Sequence, residues 1–196
     1  MKYFVSFLTI TISVMALQIH SPSAQVDSNV AAAFKELQSP QTSDQSSERL
    51  RELATSDPKA RAYLVAHLPQ MIEADPKDSP GPWANAARLA GQLKIAEASS
   101  ALAKWFGLEV GEITMTEFLR LDTIPAAKAL SEIGDPAIPA LVDVLKHGSS
   151  HERRNAYLTL NLIGSPSAKG TIRNQLKSER NIDLRNFIEK LQSGKS

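Results

Sequence analysis

A chain of 196 residues with 42% hydrophobic and only 6% aromatic content is long enough to bury a core, and its apolar residues are mostly the Ala and Leu that suit helices. The lack of cysteine excludes disulfides, thiolate nucleophiles, iron–sulfur clusters and Cys-ligated zinc. The net charge of +1 conceals an asymmetry: residues 25–145 carry eleven Lys or Arg against seventeen Asp or Glu, and residues 146–196 carry ten against four.

Met1-Lys2, the apolar run "YFVSFLTITISVMAL" and the small residues of "QIHSPSAQ" read as a secretory signal peptide over 1–24, with cleavage after Ser23 or Ala24. The apolar run contains Ser6, Thr9, Thr11 and Ser13 and is shorter than the ~20 residues that span a bilayer. The expected mature chain is exported, periplasmic or secreted, with no stable membrane insertion. No cysteine stands at the cleavage site to carry a lipid anchor.

Residues 25–45 are rich in Gln and Ser and read as a flexible lead-in, with one short helix over 30–37. From 46 onward the chain reads as helix pairs. Ser46 or Ser47 is placed to cap a helix that runs through 54, and Asp57-Pro58 opens a second that runs through 74. The stretch "DPKDSPGP" then breaks the chain.

The next pair spans 83–93 and 95–106. The insertion "GLEVGEITMTEFLRLD" follows, with a helical turn or two over 116–121. Two further pairs span 125–133 with 136–147, and 152–163 with 166–177; a single helix over 183–191 and a tail over 193–196 complete the chain. No segment alternates apolar and polar residues long enough to predict a strand.

The last pairs repeat each other. Leu130, Ile133, Gly134 and Pro136 recur thirty residues later as Leu160, Ile163, Gly164 and Pro166, and Arg154-Asn155 recurs as Arg185-Asn186 after one inserted residue near Lys169-Gly170. Ala127, Leu130 and Ile133 form one apolar stripe, and Ile138, Leu141, Val142 and Leu145 form another. So short a helical hairpin cannot cover its own apolar flank, and stacking against the next pair is the solution. Gly134 and Gly164 stand where a helix ends, Pro136 and Pro166 stand in the first turn of the next, and Asp135 and Ser165 are placed to cap it. The expected fold is all-α, an α-α superhelix over 46–192 of about four helix pairs and a terminal helix.

The segments "AAKALSEIGDPAIPALVDVLKHG" and "ERRNAYLTLNLIGSPSAKGTI" resemble the HEAT-repeat family in its short bacterial form, the PBS-lyase HEAT-like repeats. Arg154, Ala156, Leu160, Gly164, Ala168 and Leu176 follow the repeat pattern, and Arg185 restarts it. The resemblance covers 123–192 well, 82–106 less closely and 44–75 only in helical patterning. It implies an α-solenoid that binds other macromolecules, and it does not imply catalysis.

Chemistry-bearing motifs are scarce. No Gly-rich phosphate loop, Gly-x-Ser-x-Gly elbow or His-Glu-x-x-His is present. His67 reads as a packing residue. His147, His151 and Glu152 form the one loose cluster of metal-ligand types. Glu109, Glu112, Glu117 and Asp122 read as a solvated acidic surface in or beside the insertion. Trp105 and Phe106 read as core, and Trp83 reads as a cap over a helix end.

The most informative polar signal is Lys169, Arg173 and Lys177, four apart on one helix face, with Arg180 close by. Second helices of a solenoid line its concave side, which makes these four residues the candidate partner-binding site. Arg154 and Arg185, at repeat starts, are expected to hold neighbouring repeats through carboxylates or carbonyls.

The expected function is non-catalytic binding of a protein or peptide, of acidic character, without cofactor or metal and without nucleic acid. The alternatives are a binder of anionic envelope polymer or lipid headgroups and, from a different class, a metal-dependent enzyme.

Overall fold

The computed structural model describes residues 22–110 and 123–193. Among these, every regular element is helical, so the chain is all-α as the periodicity predicts. Ten α-helices follow one another: α1 (Pro22–Leu37), α2 (Ser43–Ser56), α3 (Pro58–Glu73), α4 (Pro80–Gln92), α5 (Ser99–Lys104), α6 (Pro125–Ile133), α7 (Ile138–His147), α8 (Ser150–Ile163), α9 (Pro166–Leu176) and α10 (Ile182–Ser193). None of them is long and apolar enough to cross a membrane.

The helices lie in two rows. In one, α2 packs on α4, α4 on α6, α6 on α8 and α8 on α10; in the other, α3 packs on α5, α5 on α7 and α7 on α9. Hairpin contacts such as α2 with α3, α7 with α8 and α8 with α9 tie the rows together. The core runs between them: Leu50, Leu64, Leu68, Leu89, Leu102, Leu130, Leu141 and Leu160 are fully buried. Short Ala-rich faces allow close approach, and the α4–α6 contact is especially tight. A Cβ on Gly91 of α4 would stand 2.7 Å from the Cα of Ala129 on α6.

Local chemistry explains several helix ends. Asp57 caps α3 by accepting from the Lys59 amide at 2.8 Å, and Ser165 caps α9 by accepting from the Ala168 amide at 3.0 Å. Ser149 and Glu152 form a reciprocal capping box at the start of α8. Gly164 ends α8 in the left-handed conformation, φ 66°, ψ 0°. Gly134 ends α6 at φ 84°, ψ −142°, a region open in practice only to glycine.

Several expectations are corrected. Residues 25–45, read as a flexible lead-in, carry most of α1 and the start of α2. Val30, Ala33, Phe34 and Leu37 of α1 are buried against α2 and α3. Their spacing of three and four is a helical stripe hidden by Gln and Ser on the other faces. Ser46 and Ser47 do not cap α2, which starts earlier. They are buried within it, and the Ser46 hydroxyl donates to the Ala33 carbonyl of α1.

Asp135 does not cap α7. Residues Asp135–Ala137 form a 3-10 turn in which the Ala137 amide donates to the Gly134 carbonyl at 2.9 Å, so the backbone satisfies itself. A similar turn over Ala96–Ala98 shortens α5 relative to the expected 95–106.

The Val110 amide donates to the Thr123 carbonyl at 2.8 Å, which joins the described residues on either side of the insertion. The helical turn expected over 116–121 lies outside the described residues, as do Glu112, Glu117 and Asp122.

Candidate functional site

Three of the four candidate residues ride on α9 or its C-terminal cap. This helix is anchored by Ala168 and Ile172, both buried, and Lys169, Arg173 and Lys177 come out on its exposed side. None of the three makes a side-chain hydrogen bond or ion pair among the described residues. They therefore form a bare cationic stripe. Arg180, also exposed, lies in the connection between α9 and α10.

Arg180 borders a recess that the stripe does not line. The recess, of about 400 Å³, lies between the end of α7, the α8 face and the end of α9, and Lys146, Arg153, Tyr157, Gln175 and Glu179 line it with Arg180. Lys169, Arg173 and Lys177 do not line it. Lys146 is the last residue but one of α7, is exposed, and has no ion-pair partner among the described residues.

The floor of this recess is organised by an ion pair. Arg153 donates from Nε to Glu179 Oε2 at 3.1 Å and from Nη2 to Glu179 Oε1 at 3.2 Å, and its Nη1 donates to the Gly148 carbonyl at 2.9 Å. The Glu179 side chain is 5% exposed. Burial alone would raise its pKa. Hydrogen bonds from Arg153 and from the Asn181 amide, the Arg153 charge and the Arg180 amide outweigh that, and the carboxyl sits below its ordinary value. It is an anion held by the fold.

Tyr157, on α8, is 1% exposed and lines the same recess, and its hydroxyl has no hydrogen-bond partner among the described residues. Burial, then the Glu179 charge, push its pKa up to about 12, against a smaller opposing effect of Arg153. The phenol is a proton donor at any physiological pH.

The repeat-start arginines divide. The Arg154 guanidinium lies 4.5 Å from the Phe187 ring centroid, joining α8 to α10, and Arg185 donates to the Glu179 carbonyl just before its own helix. Arg153, which the repeat pattern does not single out, makes the carboxylate contact. Its partner is 26 residues away and invisible to local spacing.

The remaining candidates settle into structural roles. His67 stacks on Tyr63, ring centroids 4.0 Å apart, and its Nδ1 bonds the Tyr63 carbonyl at 2.7 Å. Trp83 is buried and its indole N–H donates to the Ile72 carbonyl at 2.9 Å, closing the end of α3. Phe106 is fully buried, whereas Trp105 is half-buried and donates to the Glu73 carbonyl at 3.3 Å. Phe34, His67, Met71 and Trp83 wall an apolar cleft of about 430 Å³ between α1, α3 and the start of α4.

The loose cluster does not converge on a metal. His147 pairs with Asp143 at 3.0 Å, His151 pairs with Glu109 at 3.1 Å, and Glu152 is committed to its capping box. Among the described residues no three His, Asp or Glu side chains are grouped to hold an ion.

Comparison with protein-family models, with curated proteins and with solved structures finds no match for this chain.

Proposed function

We propose that this chain is an exported, non-catalytic HEAT-like α-solenoid that binds an acidic protein or peptide through its basic C-terminal helix pairs. The observation that carries the reading is the unpaired state of Lys169, Arg173 and Lys177. Elsewhere Arg49, Arg51, Lys77 and Lys104 are paired with carboxylates, and the exposed Lys35, Lys59, Lys94 and Lys190 lack an ion-pair partner among the described residues but are scattered over separate elements. On α9 and its cap three cations share one face and have no such partner among the described residues.

The stacking of each helix on the next but one supports the solenoid reading, since it is what short hairpins with uncovered flanks require. In that reading α3, α5, α7 and α9 form the concave row, and the cationic stripe belongs to its C-terminal end. The acidic N-terminal part and the basic end give the stack a dipole that orients a charged partner on approach.

The test is capture of partners from the extracytoplasmic fraction by the wild-type protein and by a variant carrying Arg173→Glu and Lys177→Glu. A specific partner lost on charge reversal, with binding that weakens steeply as ionic strength rises, supports the reading. A partner retained equally by the reversed variant overturns it. Binding to anionic lipid vesicles in place of protein points to an envelope-surface role.

A further inference from the structure

We infer that the recess between α7, α8 and the α9–α10 connection is an oxyanion site that seats one carboxylate, an Asp or Glu side chain of an acidic peptide. This rests on the basic-end reading above and names where its partner is gripped. The donors come from three separate elements: Lys146 from the end of α7, Tyr157 from α8 and Arg180 from the connection after α9.

Two independent observations converge. The first is charge. Lys146 and Arg180 both lie on the lining, exposed and without an ion-pair partner among the described residues, while the third cation, Arg153, is neutralised by Glu179. The recess therefore keeps two uncompensated positive charges. A guanidinium and an ammonium on the lining of one recess both suit a carboxylate ligand.

The second is the Tyr157 hydroxyl. The residue is 1% exposed, yet its O–H finds no acceptor among the described residues. The hydroxyl keeps an accessible edge on the recess and its donor is uncommitted, so an arriving oxygen can accept from it. With its pKa near 12 the phenol still carries the proton that such a bond uses.

Glu179 also lines the recess, paired with Arg153. It faces the same space as a fixed anion, close enough to disfavour ionisation of Tyr157. With Glu179 paired to Arg153, the free donors on the lining are Lys146, Arg180 and the phenol, a set that the two oxygens of a carboxylate can accept from. A volume of about 400 Å³ accommodates an acidic side chain with part of its backbone.

The experiment measures fluorescence anisotropy of a labelled poly-glutamate peptide on the full chain at low ionic strength. The variants are Tyr157→Phe, Arg180→Gln, Lys146→Gln and a triple variant of the outer stripe, Lys169→Gln with Arg173→Gln and Lys177→Gln. Each recess substitution is expected to weaken binding roughly fivefold. Tyr157→Phe removes only an unpartnered hydroxyl, so its thermal unfolding at neutral pH should match wild type.

Full-strength binding by Tyr157→Phe and Arg180→Gln, with loss only in the stripe variant, overturns the recess site and leaves the basic-end reading standing. No binding by the wild-type protein overturns both. Acetate and inorganic phosphate are compared as competitors at equal ionic strength, and stronger displacement by phosphate overturns the carboxylate assignment.

Discussion

Arg153 on α8 and Glu179 in the connection after α9 face each other through two parallel hydrogen bonds, at 3.1 Å and 3.2 Å. The same carboxylate accepts from the Asn181 amide at 3.0 Å, and the Asn181 side chain accepts from the Leu184 amide at 3.0 Å to begin α10. One buried anion thus joins the end of α7, the start of α8 and the entry to the last helix.

Removing one partner of this pair leaves the other charge buried. Arg153→Ala is expected to destabilise the fold by about 3 kcal/mol in urea unfolding. Glu179→Gln should cost less, because the amide oxygen still accepts from Arg153. The double variant should cost less than the sum, which a double-mutant cycle measures.

The pair also makes stability depend on pH. Glu179 is held below the ordinary value of 4.5, so the unfolded chain takes up its proton first as pH falls. Its contribution is present above 4.5 and is lost as pH drops through the lower folded value. Tyr157 acts at the other end: the unfolded phenol ionises near 10.0 and the folded one near about 12, so stability falls as pH rises between them. Unfolding midpoints across pH should show a weaker acid dependence in Glu179→Gln and a weaker alkaline one in Tyr157→Phe.

Gly91 is set against the backbone of α6. Its replacement by Ala would place a methyl 2.7 Å from the Ala129 Cα and from Glu132 Oε2, so α4 and α6 must move apart. A loss of about 2 kcal/mol is expected in thermal or chemical unfolding. Gly170, where an added methyl would meet nothing within 4 Å, should tolerate Ala and gain slightly from helix propensity.

The two hairpin glycines should respond differently to Asn. At Gly164 the left-handed conformation accepts Asn with little loss, whereas Ala costs about 1 kcal/mol. At Gly134, with ψ −142°, both substitutions should be costly, by about 2 kcal/mol, as judged by unfolding midpoints.

Trp83→Phe removes the indole donor and leaves the Ile72 carbonyl, at the end of α3, without its partner. A loss of about 1–3 kcal/mol is expected, and the unfolding midpoint of Trp83→Phe checks it.

The amino-acid order alone sets the helical class and most helix limits after residue 57, because Pro, Gly, Ser and Asp act on the few residues beside them. The helix over 125–133 starts at Pro125 and ends at Gly134 for reasons contained in those positions. It also made the stripe of Lys169, Arg173 and Lys177 legible, since a spacing of four is a helix face. Three-dimensional packing makes Val30, Ala33, Phe34 and Leu37 core, because burial needs the partner surfaces of α2 and α3. It also places Arg180 on one recess lining with Lys146 and Tyr157, a lining that the stripe does not share. Helix direction and hairpin packing bring those three residues together, and no local pattern encodes a distance between side chains on separate elements.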